Sequence, residues 1–404
     1  MESGSQFLYQ AQIEAGNITL SHEPAECCLT IAGDLCPVGK PESLLANKNY
    51  SAVWGNLPEL LSTSDLSIAN LECPLTDSFT PIPKNGPPLR AGAHCAEGIK
   101  ASGLDVVTLA NNHIMDMGER GLFDTITACQ KAGFQLVGAG KNLEEAQAPL
   151  ITTVNHVRIA ILAFAEREFS IAGKNHAGAC PVDIIDNYQQ ITRAKELADF
   201  VLIIYHGGNE YYPLPNPTLA KTCRFFVDLG ANAVICHHTH VPSGLEIYQE
   251  TPIIYSTGNF LFDWPDKKPA AWYKGYLVSL KINRSGVVNL SLIPYSQCLN
   301  QPGVLLMDGK EKQQMLSEIA RLSAIIAMPD RLQEEWDKHC KTQSSQYMAM
   351  IFSSNPIEQR LLVRLGFLQK WKIQKKHVGR ILNFMTCQSL RDIVEASLEL
   401  NFKR

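Results

Sequence analysis

From Cys28 to about residue 300, short apolar runs alternate with longer stretches of helical spacing. Residues 29–32, 66–69, 106–110, 200–204 and 233–235 are apolar, rich in β-branched side chains and bounded by polar residues or glycine. Runs of that length and composition predict buried strands. Helices are expected over residues 96–102, 119–132, 186–197 and 218–229, and Gly103, Gly133 and Gly230 follow three of them as C-cap residues would. Such alternation predicts an α/β architecture. Ligands in sheets of this kind bind beyond the carboxyl ends of the strands.

Three pairs of runs read as antiparallel hairpins: 150–154 with 158–164 through Asn155-His156, 244–248 with 252–255, and 275–282 with 286–293. The proline-rich segment 77–90 predicts a long loop, a length that is often functional. Beyond about Gly303 the chain becomes rich in Leu, Lys, Arg, Gln and Glu at helical spacing. The pattern therefore divides into an N-terminal segment (1–27), an α/β domain (28–300) and a C-terminal helical region (301–404). The basic run 370–377 in the last part reads first as a solvated helix face and second as a surface for an anionic partner.

Composition narrows the classes. The chain has 404 residues, 45% of them hydrophobic and 19% charged, with a formal net charge of −4. That is globular composition without the basic excess of a nucleic-acid binder. Twelve cysteines are scattered with no Cys-x-x-Cys pair, which predicts free, mostly buried thiols in a reducing compartment. Residues 1–26 carry Glu2, Glu14 and Glu23 and no apolar h-region, and no apolar run of about 18 residues occurs. The expectation is a cytoplasmic protein with neither signal peptide nor transmembrane segment.

The polar residues at the strand ends carry the chemistry. Asp34 follows Gly33, Asn70 and Glu72 are two apart, and Asn111-Asn112-His113 precedes Asp116. His206 precedes two glycines, and Cys236-His-His-Thr-His240 closes the run 231–235. In an extended segment His238 and His240 point to one side, and imidazoles so placed are metal ligands. A carboxylate such as Glu72 has two oxygens and can serve two ions. An Asx turn at Asp34, a loop start at Glu72 and a capping Asn before a surface His113 are the competing structural readings. No Gly-x-Ser-x-Gly elbow, Gly-x-x-x-x-Gly-Lys-Ser/Thr loop or Gly-x-Gly-x-x-Gly fingerprint occurs, which argues against serine hydrolase, nucleotide-dependent and dinucleotide chemistry.

Taken in order, Gly33-Asp34, Asn70-Leu-Glu72, Asn111-Asn-His113 with Asp116, Tyr205-His-Gly-Gly-Asn-Glu-Tyr211, His238-Thr-His240 and Tyr255-Ser-Thr-Gly-Asn-Phe260 resemble the CapA family. That family is associated with bacterial capsule and poly-γ-glutamate synthesis and is a branch of the calcineurin-like metallophosphoesterases. The resemblance covers about residues 30–263. It implies a four-layer α/β/β/α sandwich with a two-metal site holding manganese, zinc or iron. Asp34, Glu72, Asn112, His206, His238 and His240 would be the ligands, with Asn70 competing for the place of the bridging carboxylate. His113 matches the proton donor of the wider superfamily, and Asp116 would orient it. Asn70, Glu210, Tyr211, Ser256 and Asn259 would line the substrate pocket.

Two departures bear on activity. Asp34-Leu-Cys36 stands where many metallophosphoesterases have Asp-x-His, and Asn70-Leu-Glu72 replaces Gly-Asp-x-x-Asp. The expected function is a metal-dependent hydrolase of phosphoesterase type in surface-polymer metabolism, acting on a polymer or a small phosphoester. The alternatives are a non-catalytic accessory or polymer-binding subunit of the synthesis machinery, and a metal-dependent amide hydrolase.

Overall fold

The computed structural model describes residues 3–364 except 354, and isolated positions between 381 and 397. Two units divide the chain, Met1–Leu332 and Gln333–Arg404.

In the first unit the apolar runs form two large sheets. The larger is built on Cys27–Cys36, which pairs in parallel with Leu66–Leu71, then Val106–Thr108 and Gln135–Val137. Lys274–Asn283 pairs antiparallel on the other side, followed by Gly286–Gln297 and Asn17–Thr19, so part of the N-terminal segment is a strand of this sheet. Asn259–Phe262 adds in parallel at the C-terminal end of Cys27–Cys36. In the smaller sheet Val157–Ala165, Phe200–His206, Ala233–His237 and Thr251–Ile254 run parallel, edged by antiparallel Leu150–Val154 and Leu245–Tyr248.

Both sheets share one apolar core, which joins Ile31, Ile68 and Val107 of the larger to Ile161, Leu202 and Ile235 of the smaller. Leu66–Leu71 and Phe200–His206 are buried at every position, the mark of strands covered on both faces. Helices Ile184–Leu197 and Pro217–Asp228 cover the smaller sheet, and Cys95–Lys100 and Gly118–Lys131 flank the larger. The result is the expected α/β/β/α order. Pro217–Asp228 shows the local logic. Asn216 Oδ1 accepts from Leu219 N at 2.9 Å, Pro217 fills the first turn, and Leu219, Ala220, Cys223, Phe226 and Val227 are buried at helical spacing. Each large apolar side chain so buried contributes roughly 1.5–3 kcal/mol.

The four expected helices form with boundaries shifted by one or two residues. Asp183 moves one start upstream by accepting from Ile185 N and Asp186 N. The strand expected over 106–110 ends at Thr108, where Leu109 and Ala110 leave the sheet for the Asn111 turn. All three hairpins form. Asn155 and His156, and again Gln249 and Glu250, have φ between 45° and 73°, the left-handed backbone that a two-residue hairpin turn demands. Residues 77–90 contain no helix or strand.

Helix Gly309–Ile326 packs on Ser3–Ala15 and on both sheets at Leu245–Tyr248 and Gly286–Gln297, so it is part of the first unit. Pro329–Phe352 runs across the division, and Pro356–Arg364 lies in the second unit. The basic run 370–377 lies outside the described residues. No helix among the described residues is long and apolar enough to cross a membrane. All twelve cysteines are free thiols, most of them buried.

Candidate metal centre

The centre forms where the strand ends of the two sheets meet. A Cβ at Gly33 would lie 1.9 Å from the Gly258 carbonyl oxygen, and Asp34 N donates to that oxygen at 3.1 Å. Only glycine allows this approach, which joins motifs more than two hundred residues apart. Gly258 itself has φ of 76°. Asp34 pairs in register with Asn70, and Glu72 N donates to Leu35 O at 2.9 Å. Asp34, Asn70 and Glu72 are therefore side by side, and none is exposed.

Two groups of possible ligands result, Glu72 with His206 and His238, and Asp34 with Glu72 and His240. Within each group the ligand atoms lie within 4.8 Å of one another, and Glu72 belongs to both. Glu72 Oε1 is 3.4 Å from His206 Nε2 and 3.7 Å from His240 Nε2. Asn112 Oδ1 is 3.0 Å from His206 Nε2 and completes the donor set. Neither Glu72 oxygen has a hydrogen-bond partner among the described residues. Burial, then the charges of Asp34 and Glu210, push the Glu72 carboxyl well above its usual range. Burial pushes His206 well below the ordinary imidazole value and His240 also downward. A buried carboxylate with two orphaned oxygens, facing imidazoles held neutral, is unsatisfied by protein alone and fits a divalent cation. Mixed carboxylate, amide and imidazole donors suit manganese, iron or zinc.

The histidine pair reaches the site by a route other than strand alternation. The strand ends at His237, and His238 and His240 have φ of 91° and 58°. Their common direction comes from a strained turn, of the kind stored at functional sites. His238 N donates to Asp34 Oδ2 at 3.1 Å, which fixes that turn against the larger sheet. Asn259 Nδ2 donates to the carbonyls of His240 and Trp272, so its Oδ1 accepts from His240 Nδ1 at 2.9 Å. This leaves His240 Nε2 as the atom that could bind a metal, oriented by the amide as outer partners orient metal-bound imidazoles.

A second constellation lies alongside. His113 Nδ1 donates to Asp116 Oδ2 at 2.6 Å, leaving Nε2 available. Asp116 also accepts from Leu89 N at 2.6 Å and from Lys84 Nζ at 2.6 Å. Lys84 comes from the proline-rich loop, and its side chain is 3% exposed.

These elements match residues 28–264 to the family described as bacterial capsule synthesis protein PGA_cap. The chain belongs to the PGA_cap family. It is 30% identical to the capsule biosynthesis protein CapA of Bacillus anthracis over 284 residues, 67% of this chain and 68% of that protein. Its identity to the PGA biosynthesis protein CapA of Bacillus subtilis (strain 168) is 28% over 300 residues, 72% and 77% of the two chains. A "probable polyglutamine synthesis accessory protein" of Mycobacterium tuberculosis (strain CDC 1551 / Oshkosh) is 28% identical over 226 residues, 52% of this chain and 60% of that one.

In this PGA_cap chain, most of the residues singled out from the sequence converge. Asn70 is fully engaged: Nδ2 donates to Asp34 Oδ1 at 2.8 Å and faces His206 Nδ1 at 3.1 Å, while Oδ1 accepts from Thr108 and Asn111. Its bonds hold Asp34 in place, and Glu72 is the residue common to both groups that could hold a metal. Ser256 is buried with its hydroxyl accepting from Gly258 N, and shapes the turn. Glu210 and Tyr211 are exposed at the rim, with the Tyr211 ring stacked 5.9 Å from Trp272. Cys36 joins neither ligand group. Burial, then the neighbouring Cys73 thiol, pushes its own thiol well above the ordinary value.

Sequence reasoning missed four neighbours of the centre. His237 Nδ1 lies 3.5 Å from Asp34 Oδ1, and its Nε2 has no hydrogen-bond partner among the described residues. Glu168 Oε1 is 3.9 Å from His238 Nε2. Trp272 packs its ring 4.8 Å from His240, and Lys84 binds Asp116. His237 was visible within the histidine cluster. The other three stand in segments with no local signal of chemistry.

Proposed function

We propose that this PGA_cap protein is a metal-dependent hydrolase of phosphoesterase type, acting in the metabolism of a bacterial surface polymer. The observation that carries this reading is the pair of buried carboxylate–imidazole groups sharing Glu72. Asp34, Glu72, Asn112, His206, His238 and His240 would hold two divalent ions, in the manner of the calcineurin-like phosphoesterases the motifs resemble. Bound there, the ions supply Lewis acidity and lower the pKa of water to give a nucleophile at neutral pH. The protein's own groups do the rest. Asp34 and Glu72 provide the negative charge that balances the cations. Asp116 holds the His113 ring with Nδ1 protonated, so that Nε2 carries a proton to the leaving oxygen. Lys84 and Leu89 N hold Asp116 in turn. The turn from His237 to His240 excludes bulk water from the ligands, as the burial of all four residues attests.

The experiment is elemental analysis of protein purified without chelator, beside His238→Ala and His113→Ala, followed by turnover of phosphodiester, phosphomonoester and γ-glutamyl amide substrates. About two ions per chain, fewer in His238→Ala, and loss of phosphoester turnover in His113→Ala with metal retained are the expected results. Turnover of the amide alone would reassign the reaction. A metal-free protein after reconstitution would overturn the hydrolase reading.

A second reading is a non-catalytic accessory subunit of the synthesis machinery. It is favoured by Cys36, a buried thiol outside both ligand groups at the position where many metallophosphoesterases have a histidine. The Mycobacterium tuberculosis relative, named an accessory protein, is consistent with it. Metal binding without turnover on all three substrate classes would select this reading.

A further inference from the structure

Trp272 serves two neighbours. Its ring packs 4.8 Å from His240, and it also forms one wall of an aromatic collar around Lys268. Lys268 Nζ lies 4.8 Å from the centroids of Trp264 and Trp272 and 5.3 Å from that of Tyr211, and donates to Tyr211 Oη at 2.9 Å. Two of its three walls are hydrogen-bonded in place. Trp272 Nε1 donates to Phe262 O at 3.2 Å, and Trp272 O accepts from Asn259 and Gln297. Tyr211 N donates to Thr239 O at 2.8 Å, within the histidine turn, and Tyr211 itself has φ of 63°. Lys268 N donates to Tyr273 Oη at 3.2 Å.

A carboxylate would hold this ammonium and cancel its charge. Aromatic faces hold it and leave the charge intact. Among the described residues no carboxylate forms an ion pair with Lys268, although Asp263 and Asp266 are close in sequence. Tyr211 Oη takes one of the three N–H groups and the Trp264 and Trp272 faces lie against the ammonium, which leaves its open side for a ligand. The ammonium is only partly buried, and through Trp272 and Tyr211 it is one ring removed from His240. A fixed, uncancelled cation at the rim of a centre otherwise dominated by Glu72, Asp34, Glu168 and Glu210 calls for an anion.

We infer that Lys268 and its collar of Tyr211, Trp264 and Trp272 form an anion-binding subsite beside the carboxylate–imidazole centre, which takes a carboxylate or phosphate group borne by the substrate. The assignment to substrate rests on the proposed hydrolase reading; the anion site itself does not. A substrate reaching both places carries one group at the centre and a second anionic group at Lys268, as a repeating acidic polymer or a doubly charged phosphoester would.

The test is calorimetric titration of the metal-loaded full chain with glutarate and, separately, with inorganic phosphate. Wild type is compared with Lys268→Met, which keeps the apolar stem, and Lys268→Arg, which keeps the charge. Lys268→Met is expected to weaken one or both probes about tenfold, the loss of one charge-assisted hydrogen bond. Lys268→Arg should restore most of the affinity, and metal content should be unchanged in both. Weakening of glutarate alone identifies a carboxylate subsite, and of phosphate alone a phosphate subsite. Equal affinity of wild type and Lys268→Met for both probes would overturn the inference. Lys268→Gln gives the same readout should Lys268→Met fail to fold. Loss of anion affinity in a protein with no turnover would sink the hydrolase reading and leave the subsite standing.

Discussion

Glu72 concentrates the conflict between stability and function. Its carboxyl is fully buried, raised well above its usual range by desolvation and by Asp34, and lacks hydrogen-bond partners among the described residues. An isolated folding unit would not place it there, because a desolvated charge opposes folding. Glu72→Gln should therefore leave the metal-free thermal midpoint unchanged or raised, while abolishing the further rise that manganese gives the wild type. Thermal unfolding with and without metal checks this, and a midpoint well below wild type in metal-free buffer would contradict it. Lys84 is the complementary case, a buried cation whose contacts include Asp116 Oδ1 and the Asn112 carbonyl. Lys84→Met removes one of the two groups that hold Asp116 and so loosens the His113 ring. On the proposed hydrolase reading turnover should fall about 10- to 100-fold, the range for loss of an outer hydrogen-bond partner at a metal site. Metal content should hold, and steady-state kinetics beside elemental analysis would separate this from loss of the centre.

At the scale of elements, the site depends on how helix Pro217–Asp228 is pinned to the smaller sheet. Arg224 makes two bonds to Glu246, at 2.9 and 2.7 Å, and Tyr255 Oη donates to Glu246 Oε1 at 2.5 Å. This ties the helix to strand Leu245–Tyr248 and to the residue that opens the Tyr255–Phe260 motif. Two parallel N–H···O bonds to one carboxylate are the strong form of such a pair. Arg224→Ala leaves Glu246 buried without its cation and should cost about 2 kcal/mol, the low side for a buried pair because the guanidinium is partly exposed. Denaturant unfolding would measure it. The hairpins and principal helices were legible because period and turn residues are local properties. The strain at His238 and His240 was not. An alternating pattern described their spacing, but a turn held by Asp34 from the other sheet set their direction.

For the whole molecule, a centre assembled from both sheets would make metal binding, as proposed, a clamp on the first unit. Ligands from strand ends far apart in sequence converge only in the folded chain, so a cation bound there is linked to folding. Manganese or zinc at one hundred times its dissociation constant should stabilise the protein by about 2.7 kcal/mol for each site it fills, and a chelator should reverse the gain. His238→Ala should show a much smaller shift. An equal shift in wild type and variant would place the ion elsewhere.

What the sequence by itself determined was whatever repeats or caps locally: the strands and helices of the α/β core, the hairpin positions, and the polar residues waiting at strand ends. Motif order was enough to place the chain in its family and to nominate Asp34, Glu72, His206, His238 and His240. Only the tertiary structure decided that Glu72 belongs to both groups that could hold a metal, that Asn70 bonds Asp34 and Asn259 bonds His240, and that Cys36 lies outside both groups. It alone brought Lys84 to Asp116 and Lys268 into its aromatic collar. The physical reason is that burial and hydrogen-bond partners are set by segments remote in sequence. A lysine in a proline-rich loop carries no local mark of the carboxylate it will meet.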